Sequence, residues 1–274
     1  MTARRKLREH MNRLTEIRDI MDAMKNLALL ETHKLGSLLQ TQQVLINDLE
    51  TVAGDFLDFF PWPEQAPSET DCWIVFGSER GFCGDFNEAL LDELEVRLAA
   101  SGSRHLLLAV GAKLQLKLAQ DPRVAAFLEG PDVAEEIIPV LNKLVVQLGE
   151  LQAAHIYVLF HEAQTDQVAL HRLMPPFEKA EQGAAHFAFP PIVNVAPATF
   201  FSRLLDRYLF VALQEIACTS LMAENQKRIQ HMTGAVRRLD ETTQLLMRQY
   251  HMRRQEDITE EIEVILLNAG REFE

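Results

Sequence analysis

A glycine-rich segment, Gly77–Gly84, is the part of the sequence whose residue types come nearest to known chemistry. It reads GSERGFCG and lies between an apolar run of strand length and a helix-like run, where glycine-rich phosphate loops occur. The segment lacks the G-x-G-x-x-G spacing of dinucleotide sites and the Lys-Ser/Thr pair of a P-loop. We predict that its glycines serve a tight strand-to-helix turn and that no cofactor binds, with nucleotide binding as the alternative.

The other reactive residue types also have two interpretations. Cys83 would be a nucleophile if a helix N-terminus lowered its thiol pKa, but we favour a small packed thiol. Together with Cys72 and Cys218 it forms no disulfide framework or zinc pattern, which fits a reducing compartment. The nine histidines show no ligand spacing, so no metal site is predicted. For the acidic residues between Glu256 and Glu263 we predict a solvated helix face and no catalytic residue.

Two long helices at the chain ends are the main predicted elements. Residues 2–60 contain no proline, with Gly36 as a candidate break, and Pro61-Trp62-Pro63 stops the run. Residues 198–274 also contain no proline. Helices of roughly 55 and 70 residues would be about 80 and 105 Å long at 1.5 Å per residue. Narrow apolar faces with three- and four-residue spacing predict that 1–60 and 198–274 pair as an antiparallel coiled coil.

The middle of the chain, residues 71–195, alternates strand-length apolar runs with helix-like runs. This pattern is typical of an α/β unit with a mainly parallel sheet. We predict strands at Cys72–Gly77, His105–Val110, Ala154–Phe160 and Val168–Leu173, and helices at Phe86–Ala99, Ala112–Ala119 and Val133–Leu151. The last two strands are close enough, across residues 162–167, to form a hairpin at one edge, and Met174–Pro197 would be an extended return. The predicted fold class is a Rossmann-like α/β domain inserted between the two helices of a long antiparallel coiled coil.

Charge is unevenly distributed along the chain. The net charge of −13 argues against general nucleic-acid binding. Residues 1–34 nevertheless carry eight Lys/Arg against five acids, and residues 227–254 carry seven against two. Basic helices on an acidic protein predict an acidic partner surface along them, with a solvated face as the alternative. No apolar run approaches the roughly 20 residues that span a bilayer, and the basic N-terminus lacks the apolar stretch of a secretory signal.

Three separated stretches match motifs of one known family. The sequence IMDAMKNLA at Ile20–Ala28 is similar to the family pattern ITKAMKMVA, and RGFCGDFN at Arg80–Asn87 is similar to DRGLCGGLN. A third stretch, Glu224–Glu261, ends in RQEDITEE and is similar to the family's C-terminal pattern, which ends in RQxxITxE. In order and spacing the chain resembles the gamma subunit of F-type rotary ATP synthases. It departs from the family pattern at Met21, Arg238, Val264 and Asn268.

The resemblance implies a central rotor shaft that couples transmembrane ion flow to ATP synthesis or hydrolysis and is not itself catalytic. The expected partners are the alpha and beta subunits, the epsilon subunit and the membrane c-ring, at the cytoplasmic face of a bacterial cell membrane. The residues expected to contact the alpha–beta hexamer are Met24, Lys25, Arg228, Arg254, Gln255, Ile258 and Thr259. Two alternatives remain: a coiled-coil adaptor with an α/β effector domain, and a small α/β enzyme with helical oligomerisation arms.

Overall fold

The computed structural model describes residues 3–60, 70–100, 104–151, 153, 155–165, 167–177 and 189–271. The strands are β1 (Thr70–Phe76), β2 (Arg104–Val110), β3 (Val124–Leu128), β4 (His155–His161) and β5 (Val168–Met174). The helices are α1 (Ala3–Leu57), α2 (Phe86–Ala100), α3 (Ala112–Leu118), α4 (Ile137–Glu150) and α5 (Pro197–Arg271). The chain forms two compact units, one of residues 28–228 and one of residues 1–27 with 229–274. The division into segments 1–60, 71–195 and 198–274 stays a prediction.

The unit of residues 28–228 contains a five-stranded sheet in the order β3-β2-β1-β4-β5. Strand β1 pairs in parallel with β2 and β4, and β2 pairs in parallel with β3. Only β5 among these five strands is antiparallel, and Glu162 N donates to Gln167 O at 2.8 Å in its hairpin with β4. The central strand β1 is buried on both faces, which explains its uninterrupted apolar run. The predicted mainly parallel sheet and edge hairpin are confirmed.

Apolar side chains cover both faces of the sheet. Because successive strand residues point to opposite faces, Trp73 and Val75 pack under α2 and α3, whereas Ile74 and Phe76 face the other way. On that second face the core contains α4 together with buried residues of α1 and α5. The members from the helices are Leu35, Ala53, Ile137, Val140, Leu141, Leu144, Leu204, Tyr208, Ala212, Leu213, Ile216, Ala217, Cys218 and Leu221. The two long helices therefore form part of the domain core within this unit.

Three predictions from the sequence are corrected by the structure. Strand β3 was missed because it is a short edge strand with two alanines and no fully buried residue. Helix α4 begins at Ile137 rather than Val133, after a 3-10 turn at Ala134–Glu136, and Pro139 is tolerated in its first turn. Helix α1 continues through Gly36 without a break. The predicted stop at residues 61–63, the strand start at Ala154 and most of the predicted return segment lie outside the described residues.

Within the unit of residues 1–27 and 229–274, the two helices run antiparallel. Arg18 Nε donates to Asp240 Oδ1 at 2.7 Å, and Arg4 donates to Asp257 Oδ2 at 3.3 Å. The earlier residue of α1 therefore meets the later residue of α5, as antiparallel pairing requires. None of the helices in the described part of the chain combines the length and apolar character needed to cross a bilayer. The predicted fold class, an α/β domain with long terminal helices, is confirmed.

Candidate functional site at the glycine-rich loop and helix α5

The glycine-rich loop lies at the carboxyl edge of the sheet, where open α/β sheets bind their ligands. Gly77 follows β1, and its N–H donates to Val110 O at the end of β2 over 2.8 Å. Gly111 follows β2, and its N–H donates to Leu128 O at the end of β3 over 2.9 Å. Consecutive hydrogen bonds therefore join the ends of three neighbouring parallel strands beside the loop.

Close packing explains why residues 77 and 111 are glycines. A Cβ atom on Gly77 would lie 2.6 Å from Leu114 Cβ and 2.8 Å from Asn87 Oδ1. Gly111 has a φ of 112°, and a Cβ atom there would lie 2.7 Å from the carbonyl oxygen of Gly77. Gly84 has a φ of 65°, and a Cβ atom there would meet no atom of a non-neighbouring residue within 4 Å. The first two glycines allow the loop to contact α3 and the end of β2, and Gly84 supplies the backbone turn that leads into α2.

Glu79 connects the loop to the segments that follow β2 and β3. Its Oε2 accepts the N–H of Ala112, the first residue of α3, at 2.9 Å. The same oxygen accepts the N–H of Gly130 at 2.7 Å. Hydrogen bonds to a charged acceptor are stronger than neutral ones, so one carboxylate holds two otherwise separate crossovers together.

A second buried contact holds the loop against α2. Ser78 and Asn87 are both buried, and Asn87 Nδ2 donates to Ser78 Oγ at 2.8 Å. The backbone N–H of Ser78 donates in return to Asn87 Oδ1 at 3.0 Å. Ser78 O also accepts the N–H of Lys113 at 3.1 Å. Because these buried polar groups have partners, the loop conformation is well determined.

Helix α5 places a buried ion pair directly against this loop. Glu224 is 3 % exposed and Arg228 is 4 % exposed, and the two side chains pair across one helical turn. Arg228 Nη1 also donates to Asn225 Oδ1 at 2.7 Å, and its Nε donates to Gly81 O at 3.3 Å. Glu224 Oε2 accepts the backbone N–H of Glu79 at 3.4 Å. We refer to the Gly77–Gly84 loop with Glu224 and Arg228 as the loop–helix junction.

Burial dominates the electrostatics of this junction. Removing Glu224 from water raises the pKa of its carboxyl to about 7, although Arg228 and the backbone N–H groups of Glu79 and Arg80 act in the opposite direction. Around the buried pair, Arg80 pairs with Asp132, and Lys227 Nζ lies 3.5 Å from Asp85 Oδ1. Burial likewise raises the pKa of Asp132. The junction therefore contains charged contacts from α5 as well as from the segment after β3.

Cys83 lies in the loop as a packed thiol. It is buried among the residues under α2 and α3, and its Sγ lies 3.6 Å from Arg80 O. Burial raises the pKa of the thiol, which disfavours the thiolate that a nucleophile needs. Among the residues that the structure describes, no group of three His, Cys, Asp or Glu side chains is placed to hold a metal ion.

Most of the residues predicted to contact a partner lie in the unit of residues 1–27 and 229–274, and Arg228 lies in the other unit. The exposed members, all on α5, are Arg254, Gln255, Ile258 and Thr259. Met24 and Lys25 are half-buried on α1, and Lys25 Nζ lies 2.6 Å from Asp22 Oδ1. Arg228 is instead buried, and its guanidinium donates hydrogen bonds to Gly81 and Asn225 of the same chain. The contacts of all seven with a partner stay predictions.

Residue patterns alone missed two members of this arrangement, Glu79 and Asn87. Nothing in the sequence signals that Glu79 accepts hydrogen bonds from residues 112 and 130, because these contacts depend on tertiary placement. The pairing of Glu224 with Arg228 does have a signal, since a glutamate four residues before an arginine is a favoured helical pair.

Comparisons with known proteins were made for the whole chain. A family model described as ATP synthase matches residues 3–269. The chain is similar to the ATP synthase gamma chain of Clostridium botulinum strain Langeland, at 22 % identity over 96 % of both chains. It is 24 % identical to that of Parabacteroides distasonis, over 96 % of this chain and 98 % of the relative.

Two solved structures share this fold. One is a rotor chain of the Euglena gracilis mitochondrial ATP synthase, with a TM-score of 0.61 and 14 % identity over 93 % of this chain and 98 % of that one. The other is a chain of the Tetrahymena thermophila mitochondrial ATP synthase central stalk and c-ring. It has a TM-score of 0.56 and 16 % identity, over 79 % of this chain and 99 % of that one.

Proposed function

Because the chain belongs to the ATP synthase gamma family, we propose that it turns as the central rotor shaft inside a hexamer of alpha and beta subunits. Rotation of the shaft couples transmembrane ion flow to ATP synthesis, or ATP hydrolysis to ion pumping. The chain makes and breaks no bond itself. Its part in the reaction is to present different faces to equivalent catalytic subunits in turn, which biases their affinities for nucleotide.

Exposed apolar side chains on the paired helices support this proposal most directly. In the unit of residues 1–27 and 229–274, Ile20 is 61 % exposed and Ile265 is 65 % exposed. Leu27, Leu245 and Met252 in the same unit are also more than half exposed. Two helices that leave such residues uncovered present an apolar surface of the kind that a surrounding protein covers. The alpha–beta hexamer is the partner that covers it.

Arg254 and Gln255 are the strongest candidates for contacts that carry torque. Both are exposed on α5 and match the family's Arg-Gln pair. Within the described residues Arg254 has no ion-pair partner, so its guanidinium is available to a carboxylate on a beta subunit. An arginine can bind a carboxylate through two parallel hydrogen bonds, which lysine cannot reproduce. Ile258 and Thr259 lie one turn further along the helix, with Thr259 Oγ1 donating to Gln255 O at 2.9 Å.

The α/β domain provides the second set of contacts in this proposal. It binds the epsilon subunit and the membrane c-ring, so that the whole chain is peripheral to the cytoplasmic face of a bacterial cell membrane. No helix among the described residues is both long and apolar enough to cross a membrane. An adaptor unrelated to ATP synthase is the alternative, and the family membership does not favour it.

Reconstitution with the alpha and beta subunits of the same organism tests the proposal. We expect a stable complex that hydrolyses ATP, and a higher melting temperature of the chain in the complex than alone, because binding stabilises the folded state. A matched control omits this chain and tests alpha and beta together. If the chain neither joins the complex nor changes its hydrolysis rate, the shaft function is wrong and an adaptor function is favoured.

A further inference from the structure

We propose that Glu224, Arg228 and Glu79 are positioning residues that fix the α/β domain on helix α5, so that rotation passes between the two without slipping. The inference rests on the proposed shaft function and adds to it the residues through which torque is transmitted between helix α5 and the α/β domain. All three residues belong to the unit of residues 28–228.

A continuous series of hydrogen bonds runs from the sheet to the helix. The backbone N–H groups of Ala112 and Gly130, at the start of the crossovers after β2 and β3, donate to the Glu79 carboxylate at 2.9 and 2.7 Å. The backbone N–H of Glu79 then donates to the Glu224 carboxylate on α5 at 3.4 Å. Each step joins elements that are distant in sequence. The position of α5 is thereby connected to the carboxyl edge of three strands through two carboxylates.

A second connection has the opposite polarity. Arg228 Nε donates to the carbonyl oxygen of Gly81 at 3.3 Å, whereas Glu224 accepts an N–H from the same loop. Because the pair binds one donor and one acceptor of the loop, sliding α5 by one turn would bring one charge opposite the group that the other charge binds, and would leave the other charge without its loop partner. The pairing of Arg228 with Glu224 and Asn225 also fixes the orientation of the guanidinium. The junction therefore specifies one register of the helix against the loop.

Apolar packing alone does not specify a register in this way. The core between the sheet and α5 contains Leu213, Ile216, Ala217 and Leu221. Their burial stabilises the fold, but the hydrophobic effect is non-directional and does not favour one register of the helix over another. Buried hydrogen-bonded charges contribute less net stability than apolar packing, but in some proteins they determine which arrangement forms. We assign this role to Glu224 and Arg228, which are among the least exposed charged residues of the described chain.

The location of Glu224 agrees with this role. Its carboxylate accepts a backbone N–H of a glycine-rich loop at the carboxyl edge of a parallel sheet, the place where doubly wound proteins hold a phosphate. The chain thus supplies its own anion where a ligand-binding relative of this architecture would place a ligand. A glycine-rich loop without the Lys-Ser/Thr pair fits that arrangement, because the loop binds a helix of the same chain.

The test uses the complete complex, reconstituted in vesicles, with the double variant Glu224→Leu and Arg228→Met. This variant replaces the buried pair by apolar side chains of similar size, a change that buried pairs often tolerate in stability. The matched control is Glu93→Leu with Arg97→Met, since this pair has the same order and spacing on α2 but is far more accessible to water, with side chains 31 % and 49 % exposed. Ion pumping and ATP hydrolysis are measured on the same vesicles, and their ratio is the readout.

We expect the ratio of ions pumped to ATP hydrolysed to fall roughly fivefold or more in the junction variant, the lower end of typical coupling effects. The control should keep the wild-type ratio, and a purely structural role would lower both rates together without changing their ratio. If the double variant fails to assemble, Glu224→Gln, which retains the size of the side chain, is measured in its place.

Either variant pumping at the wild-type ratio would overturn the assignment. Failure of the wild-type complex to couple would instead overturn the shaft function, so the two failures are distinguishable.

Discussion

Arg228→Met is the single substitution whose effect follows most directly from the structure. It removes the cation of a buried pair whose members are only 4 % and 3 % exposed, so water cannot screen the charge that remains. Breaking such a pair destabilises a protein by roughly 3–5 kcal/mol. Against a total stability of about 5–15 kcal/mol for a folded domain, this is a large fraction. Replacing both members by apolar residues should restore most of that loss.

The penalty should depend on pH in a defined direction. The folded-state pKa of Glu224 is raised to about 7 from its ordinary value of 4.5, so the folded state holds this proton more tightly than the unfolded state does. The stability that protonation contributes is therefore complete below pH 4.5 and is lost as the pH rises through 7. Arg228 lowers that pKa, and its removal favours the neutral carboxyl further. At about pH 5 the carboxyl of the variant is therefore neutral, whereas at about pH 8 the variant must bury an unpaired charge or take up a proton.

Urea unfolding followed by circular dichroism at both pH values measures this effect on the free energy of unfolding. We expect the difference between wild type and Arg228→Met to be larger at about pH 8 than at about pH 5. The double variant Glu224→Leu with Arg228→Met serves as the control and should lack this pH dependence. A loss below about 1 kcal/mol at the higher pH, or an equal loss at both, would refute the reasoning, because a buried pair costs more than that to break.

Three further predictions concern the loop and the exposed part of α5. Gly84→Ala should lower the free energy of unfolding by about 1–2 kcal/mol through its positive φ, and Gly111→Ala by roughly 1–3 kcal/mol more through backbone overlap. Chemical denaturation of both variants checks this, and equal losses would contradict it. The double variant Arg254→Ala with Gln255→Ala should unfold within about 1 kcal/mol of wild type, because both residues are exposed, yet synthesise ATP more slowly in reconstituted complexes. If the variant synthesises ATP at the wild-type rate, neither residue contributes to coupling. Calorimetric titration of the isolated chain with ATP and with NAD should show no binding, and a micromolar affinity abolished by a Gly84 substitution would contradict this.

The resemblance found in three motifs is confirmed by a family model that covers almost the whole chain. The fold was also predictable in outline, because its signals are local. Strand β1 is buried on both faces and therefore reads as an unbroken apolar run. The long helices contain no interior proline, and their narrow apolar faces indicated a paired helix.

The elements that escaped prediction depend on tertiary contacts. Strand β3 lies at an edge, and its alternating partly buried residues give it little local signal. The role of Glu79 required three segments to meet, at residues 79, 112 and 130, which no spacing rule encodes. Arg228 contacts Gly81 and Glu224 of its own chain, and its contact with Gly81 has no signal in the sequence. Its predicted contact with the alpha–beta hexamer stays a prediction. The sequence alone does not indicate whether a charged residue on a helix faces solvent or contacts a loop of its own chain.

Direct observation of rotation tests the central claim most directly. All three native cysteines are buried, so a cysteine introduced at Leu116, which is 73 % exposed on α3, can carry a probe selectively. With the alpha–beta hexamer fixed to a surface and ATP added, the shaft function predicts unidirectional stepping of the probe that stops when ATP is removed. A complex that hydrolyses ATP at its normal rate while the probe on this chain stays still would contradict it.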